Sequence, residues 1–193
     1  MQKEKGKHTT ILAKRLMQKL ESQSRYAVYY DPHEHGTGEK NECHPTPFFG
    51  DYSGTSTLSH VDIVIVDSKN KKVRILCEIE ESGTSPKGVI GDIVNIMLSE
   101  KLRIRDSNKP YNYEYDEPLL ILGIHPNTKK NEKNKEKKVE NIKKKVEEGL
   151  VPRLRNIIEE PYWDLLGGIT VLCEEDINEL IYEAESKILH YLK

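Results

Sequence analysis

Three carboxylates stand in runs that otherwise carry apolar side chains. Asp62 opens Val61-Asp62-Ile63-Val64-Ile65-Val66-Asp67, and Glu78 and Glu80 close Val73-Arg74-Ile75-Leu76-Cys77-Glu78-Ile79-Glu80. Residues two apart on a strand share a face, so Glu78 and Glu80 point the same way. The two β-branched runs, joined by the polar stretch Ser68-Lys69-Asn70-Lys71, read as a hairpin whose pairing brings Asp62 to the end that carries Glu78. A carboxylate on a half-buried strand is costly unless it is paired or holds a cation. Acids converging at a strand end, with only oxygen to offer, suit a hard ion such as Mg²⁺. An ion of that kind orients and acidifies a water and neutralises charge developing on a phosphate.

The pattern of an Asp, a gap, then an acid-x-Lys pair on the next strand resembles the signature of the PD-(D/E)XK nucleases, the restriction-endonuclease-like family. The matching positions are Asp62, Glu78 and Glu80, with Glu80 where the family usually carries Lys and Val61 where it often carries Pro. An acid-x-Glu variant occurs in the family's BamHI-like restriction enzymes. The match covers the hairpin and the helix after it, a quarter of the chain. It implies a central mixed β-sheet flanked by helices, one or two Mg²⁺ ions on Asp62, Glu78 and Glu80, and hydrolysis of double-stranded DNA. It also implies a homodimer for two-strand cleavage and a cognate DNA methyltransferase in the same system. With Lys absent from its usual place, Lys87 at the start of the next helix becomes a candidate to polarise the water or steady the phosphate, and reads equally as a solvated first-turn lysine. The family sometimes adds a Glu from an early helix, which makes Glu21 a further candidate beside its plainer reading as a helix-end acid.

The elements that must position these groups follow from periodicity. Ile11, Leu12, Leu16 and Leu20 give one face of a helix from Ile11 to about Ser22, capped by Thr9 or Thr10. Arg25 to Tyr30 reads as a short strand. The loop after it holds His33, His35, Cys43 and His44, a spacing that fits no standard zinc ribbon or finger, so zinc is not expected. Pro45 to Ser59 reads as an irregular polar loop whose hydroxyls, Ser53 and Thr55 among them, would meet phosphate in a nuclease, and equally as an ordinary surface loop. The hairpin leads to a helix from about Lys87 to Arg103, with Ile90, Ile93, Val94, Met97, Leu98 and Leu102 as its apolar stripe. Asp92 on it reads as an acid favoured by the positive end of the helix. Asp106 to Glu117 is a polar, tyrosine-rich connection whose alternating Tyr111, Tyr113 and Tyr115 read as a short edge strand or as a surface for stacking on bases, and Pro118 to Ile124 is a buried central strand. His125 at its end reads as structural. Asn127 to Gly149 is a charged helical segment in which Lys133, Lys137 and Lys138 offer a phosphate-binding surface, or simply a solvated face. Amphipathic turns over Leu150 to Glu160, a strand Ile169 to Cys173 and a final helix from Glu174 to about Leu192 complete the chain.

The chain has 193 residues, enough for one substantial core, and no linker or repeat splits it. The expected organisation is a single α/β domain over residues 1–193, its core about 9–125 and 150–193, with 127–149 as the charged segment. Charged residues make up 32% and apolar ones 36%, and no run reaches membrane-spanning length, so the expectation is a cytoplasmic protein. The net charge of -2 gives no global basicity to announce nucleic acid. Cys43, Cys77 and Cys173 are odd in number and scattered, with no disulfide framework. Two other classes compete with the nuclease: a nuclease-like fold that binds DNA or protein without cutting, and a zinc-stabilised binding module built on His33, His35, Cys43 and His44.

Overall fold

The structure is a computed structural model that describes residues 6–33, 36–39, 41–49, 57–80, 86–105, 110–125, 135–157 and 166–193, with only the backbone at 86, 87, 135, 138, 155 and 157. In chain order the elements are α1 (Lys7–Leu20), β1 (Tyr26–Tyr30), β2 (Thr46–Phe48), β3 (Ile63–Asp67), β4 (Lys72–Glu80), α2 (Pro86–Met97), β5 (Lys101–Arg105), β6 (Pro110–Ile124), α3 (Lys135–Lys144), a π-helical turn (Lys145–Leu150), α4 (Val151–Ile157), β7 (Gly168–Cys173) and α5 (Ile177–Tyr191). The molecule is α/β, built on a seven-stranded mixed sheet.

β1, β3 and β4 form an antiparallel meander, and β4 then pairs in parallel with β6. The opposite edge of β6 is divided between two partners. Its first residues pair antiparallel with β5, and its last, from Leu119 to Ile124, pair parallel with β7. The change-over coincides with a bulge: Val73 lies opposite Tyr115 but Ile75 lies opposite Leu119, and Glu117 in the extra stretch has φ +46. Pro118 is tolerated there because a bulged residue needs no ladder donor.

Two apolar layers cover the sheet. One contains Leu12, Leu16 and Leu20 of α1 and Leu180, Ile181, Ala184 and Ile188 of α5, packed on Ile63, Ile65, Ile75 and Cys77. The other contains Val89, Ile93, Ile96 and Met97 of α2, with Val139 and Ile142 of α3 against it, packed on Val64, Val66, Leu76, Leu120 and Leu122. Each fully buried aliphatic side chain contributes about 1.5–3 kcal/mol relative to exposure. By alternation Asp62, Glu78 and Glu80 fall on the α2 face.

Several boundaries differ from the periodicity reading. Helix α1 begins at Lys7, with Gly6 (φ +82) as its N-cap and no side-chain cap, so neither Thr9 nor Thr10 caps it. Helix α2 ends at Met97, because the Ser99 hydroxyl and N–H both donate to the Ile96 carbonyl and turn the chain. Leu102 and Arg103 therefore lie in β5, not in a helix. The tyrosine-rich connection is the first half of β6, and Thr46–Phe48 adds a strand at the sheet edge. The charged segment is helical from Lys135 and runs through the π turn into α4, anchored by buried Val146. Asp176 accepts the Asn178 N–H at 2.8 Å and so caps α5.

Candidate metal centre at the carboxyl edge of the sheet

Asp62 sits one residue before β3, just beyond the last paired positions, Ile63 opposite Cys77. Its carboxylate is fixed by two donors. The Ile79 N–H donates to Oδ2 at 2.8 Å, and His33 Nε2 donates to Oδ1 at 3.0 Å. The Asp62 N–H points at Glu78 Oε2, 3.4 Å away. Glu78 and Glu80 lie opposite Leu122 and Ile124 near the carboxyl end of β4, where β6 also ends. An ideal Cβ at Gly88 would come within 3.7 Å of Glu80 Oε2, so the first turn of α2 is drawn against that acid. The hairpin thus gathers the three predicted acids on one face, at the edge of an open sheet where parallel strands deliver their ligand sites.

Two carboxyls of this edge are held above their ordinary range. Burial, reinforced by Asp62 and Asp92, pushes the Glu78 carboxyl well above the ordinary carboxylate range. Asp92 is pushed up to about 6, first by burial and then by Asp62 and Glu80. Asp92 is the seventh residue of α2, beyond the first turn, so the helix-end role expected for it is not the one it plays. It faces the acids, and with Asp31 it was missed as part of the cluster. The i, i+3, i+4 spacing that makes Asp92 share a face with Gly88 and Val89 could have found it. Asp31 is 4% exposed at the end of β1; its N–H donates to the Asp62 carbonyl at 2.8 Å. It accepts the His33 N–H on one oxygen (2.8 Å) and His44 Nδ1 on the other (2.9 Å). His33 adopts φ +49, a strained region for a side-chain-bearing residue. Gly6 makes room for it: a Cβ there would meet the His33 ring at 2.6 Å.

The donor set fits a hard cation. It is made of carboxylate oxygens whose mutual repulsion a bound cation would relieve without protonation. No group of three or more His, Cys, Asp or Glu among the described residues is already set at metal-ligand geometry.

Other expected site residues are dispersed. Glu21 lies at the C-terminal end of α1, which runs from the His33 end of the sheet to the hairpin end. The helix is 14 residues long, so Glu21 lies about 20 Å from where α1 approaches His33, and it does not complete the acid site. The zinc quartet is not assembled either. Cys43 turns its side chain into the apolar core, His44 goes to Asp31 and His33 to Asp62, while His35 lies outside the described residues. Ser53, Thr55 and Lys133 also lie outside them, as do the side chains of Lys87 and Lys138. Lys137 is exposed on α3, and Lys143 of the same helix acts electrostatically on Cys173 and Glu174 at the carboxyl end of β7. His125 donates its backbone N–H to the Glu80 carbonyl (3.0 Å), and its Nδ1 donates to the Glu174 carbonyl (3.2 Å), consistent with a structural role.

Comparison with protein-family models, with curated proteins and with solved structures finds no match to this chain. No helix among the described residues is long and apolar enough to cross a membrane.

Proposed function

We propose that the chain is a Mg²⁺-dependent endonuclease of double-stranded DNA, of restriction type. The observation that carries this reading is the gathering of Asp62, Glu78 and Glu80 on one face of the sheet edge, with Asp92 beside them and the Glu78 and Asp92 carboxyls both pushed up by burial and by neighbouring carboxylates. The architecture supports it as well: the acids lie on a central mixed sheet flanked by helices, the core that the resemblance to the PD-(D/E)XK nucleases implies.

In this reading Asp62, Glu78 and Glu80 hold the ion, and bound Mg²⁺ supplies an acidified water and charge neutralisation at the phosphate. Ile79 N–H and His33 hold the Asp62 carboxylate in one orientation. Glu80, in place of the family's usual Lys, either ligates or takes the proton of the attacking water. Lys87, in the first turn of α2, is the candidate cation. Lys137 and its neighbours on α3 meet the DNA backbone. Cleavage of both strands of a symmetric site calls for a two-fold dimer, with a methyltransferase of the same specificity to protect the host DNA.

A second reading, a nuclease-like fold that binds DNA without cutting, draws on the absence of a ready-made three-ligand group among the described residues. The variants Asp62→Asn, Glu78→Ala and Glu80→Ala separate the two. In the nuclease reading Glu78→Ala keeps its circular dichroism spectrum and loses Mg²⁺-dependent cleavage. Full cleavage by Glu78→Ala overturns the site assignment. Ca²⁺-dependent binding with no cleavage by the wild type selects the second reading.

A further inference from the structure

Beyond the acids, a second arrangement of side chains lies in a cleft of about 580 Å³ whose walls include His44, Thr46, Phe48, His60 and Arg105. The rings of His44 and His60 are neighbours, with centroids 5.1 Å apart and planes inclined by 51°. Their hydrogen bonds define the tautomer of each. His44 Nδ1 lies 2.9 Å from Asp31 Oδ2, and a carboxylate only accepts, so His44 carries its hydrogen on Nδ1. The Thr46 hydroxyl donates to the His44 carbonyl at 2.8 Å. Toward His60 Nδ1, 3.4 Å away, the same oxygen is left to accept, so His60 also carries its hydrogen on Nδ1. Both rings are therefore held by the nitrogen nearer the backbone and keep the Nε2 lone pair for something else.

That is the form in which imidazole binds a metal. A buried carboxylate behind a ligating histidine fixes its tautomer and raises its basicity, and Asp31, 4% exposed, stands in that position behind His44. The ring spacing also fits. With metal–nitrogen bonds of about 2.0–2.1 Å and tetrahedral angles, two imidazoles on one ion have centres roughly 5 Å apart. The His44 side chain is 63% exposed, so an ion would enter from solvent without rearrangement. Imidazole nitrogen selects borderline ions such as Zn²⁺, Co²⁺ or Ni²⁺ over Mg²⁺, whereas carboxylate oxygens also accept hard ions such as Mg²⁺.

We infer that His44 and His60 form a two-histidine site for a borderline divalent transition ion, beside the carboxylate cluster and linked to it through Asp31. Asp31 acts as the positioning residue of this site. Water fills the remaining coordination positions, or an anion that Arg105 on the cleft wall would also meet. The site differs from the His33, His35, Cys43 and His44 quartet in every ligand but His44. It does not depend on the nuclease reading.

The test uses the full chain, stripped with EDTA and dialysed, then titrated with Zn²⁺ by calorimetry and with Co²⁺ by visible absorption. The expected result is one ion per chain whose binding needs the histidines, beside any ion that the carboxylate cluster takes up. His44→Ala and His60→Ala should each weaken binding at least about tenfold, and Asp31→Asn by about tenfold. Glu78→Gln should leave it unchanged. Because a substitution can perturb folding, ¹⁵N spectra of the wild-type imidazoles provide an independent reading: Zn²⁺ should shift Nε2 of His44 and His60 while both Nδ1 atoms stay protonated. Absent binding overturns the proposal. So does binding indifferent to both histidine variants, or binding abolished by Glu78→Gln alone.

Discussion

Replacing Asp92 by Asn should stabilise the metal-free protein, and by an amount that depends on pH. Asp92 is partly buried beside Asp62 and Glu80, and its carboxyl is pushed up to about 6 from an ordinary 3.8. Such an acid ionises in the unfolded chain before it ionises in the native one. Stability therefore falls as pH climbs from about 3.8 to about 6, and the whole penalty is present above that. A displacement of about two units corresponds to about 3 kcal/mol at about 1.4 kcal/mol per unit. Allowing for partial exposure, Asp92→Asn should gain on the order of 1–3 kcal/mol at pH 8 and less than about 1 kcal/mol at pH 4. For a chain of this size each kcal/mol moves the melting temperature by about 2–4 °C, so the expected rise at pH 8 is roughly 2–12 °C. Thermal and urea unfolding in EDTA at both pH values measure it. Added Mg²⁺ should narrow the gap, because the wild type has more negative charge to relieve. A variant no more stable than wild type at pH 8, or one whose gain is the same at pH 4, refutes the electrostatic reasoning.

Other consequences test the surroundings. Glu185 on α5 is 2% exposed and pairs with Arg15 (2.8 Å) and with Lys19, both on α1 and both well exposed. Glu185→Gln strands only cations that water can solvate and should lose about 1 kcal/mol, whereas Arg15→Met with Lys19→Met strands the buried carboxylate and should lose about 3–5 kcal/mol in urea unfolding. A Cβ at Gly167 would meet the Glu117 carbonyl oxygen at 2.3 Å, so Gly167→Ala should destabilise by about 1–3 kcal/mol, unlike Gly149→Ala, whose Cβ meets nothing. Asp67 is 1% exposed. Burial opposes its charge, but the Asn70 N–H, Arg25 at 2.7 Å and the Asn70 amide outweigh it and hold its carboxyl below the ordinary range. Its stabilising contribution is thus complete above the ordinary Asp value and fades as pH falls through the lower native one, so Asp67→Asn should lose the most stability near neutral pH and converge on wild type in acid.

The part of the fold legible in the sequence was the part with strong local signals. The hairpin from β3 to β4 follows from β-branched runs around a polar turn, and α5 from its acidic N-terminus and its 3.6-residue stripe. The three acids could be grouped for the same reason, since strand parity and hairpin register are local. Asp31 and His33 were not legible as members, because they join the site through the β1–β3 pairing and a positive φ at His33, neither of which leaves a pattern in sequence. Helix α2 was read too long since Leu98 and Leu102 continue its apolar spacing, and the turn that ends it depends on one serine hydroxyl. β6 was divided in two at Pro118 because a bulge at Glu117 hides its continuity. His44 and His60 are 16 positions apart in the sequence, and their rings meet through long-range contacts, the Val61 N–H on the Pro45 carbonyl among them, that leave no pattern in it.

The central claim, that Asp62, Glu78 and Glu80 hold Mg²⁺ for DNA hydrolysis, is tested most directly by incubating supercoiled plasmid and long linear duplex DNA with the purified wild-type protein. Parallel reactions contain Mg²⁺, Ca²⁺ or EDTA. The account predicts discrete fragments with Mg²⁺, a complex without cutting in Ca²⁺, and neither in EDTA. DNA left intact and unbound under all three conditions would contradict it.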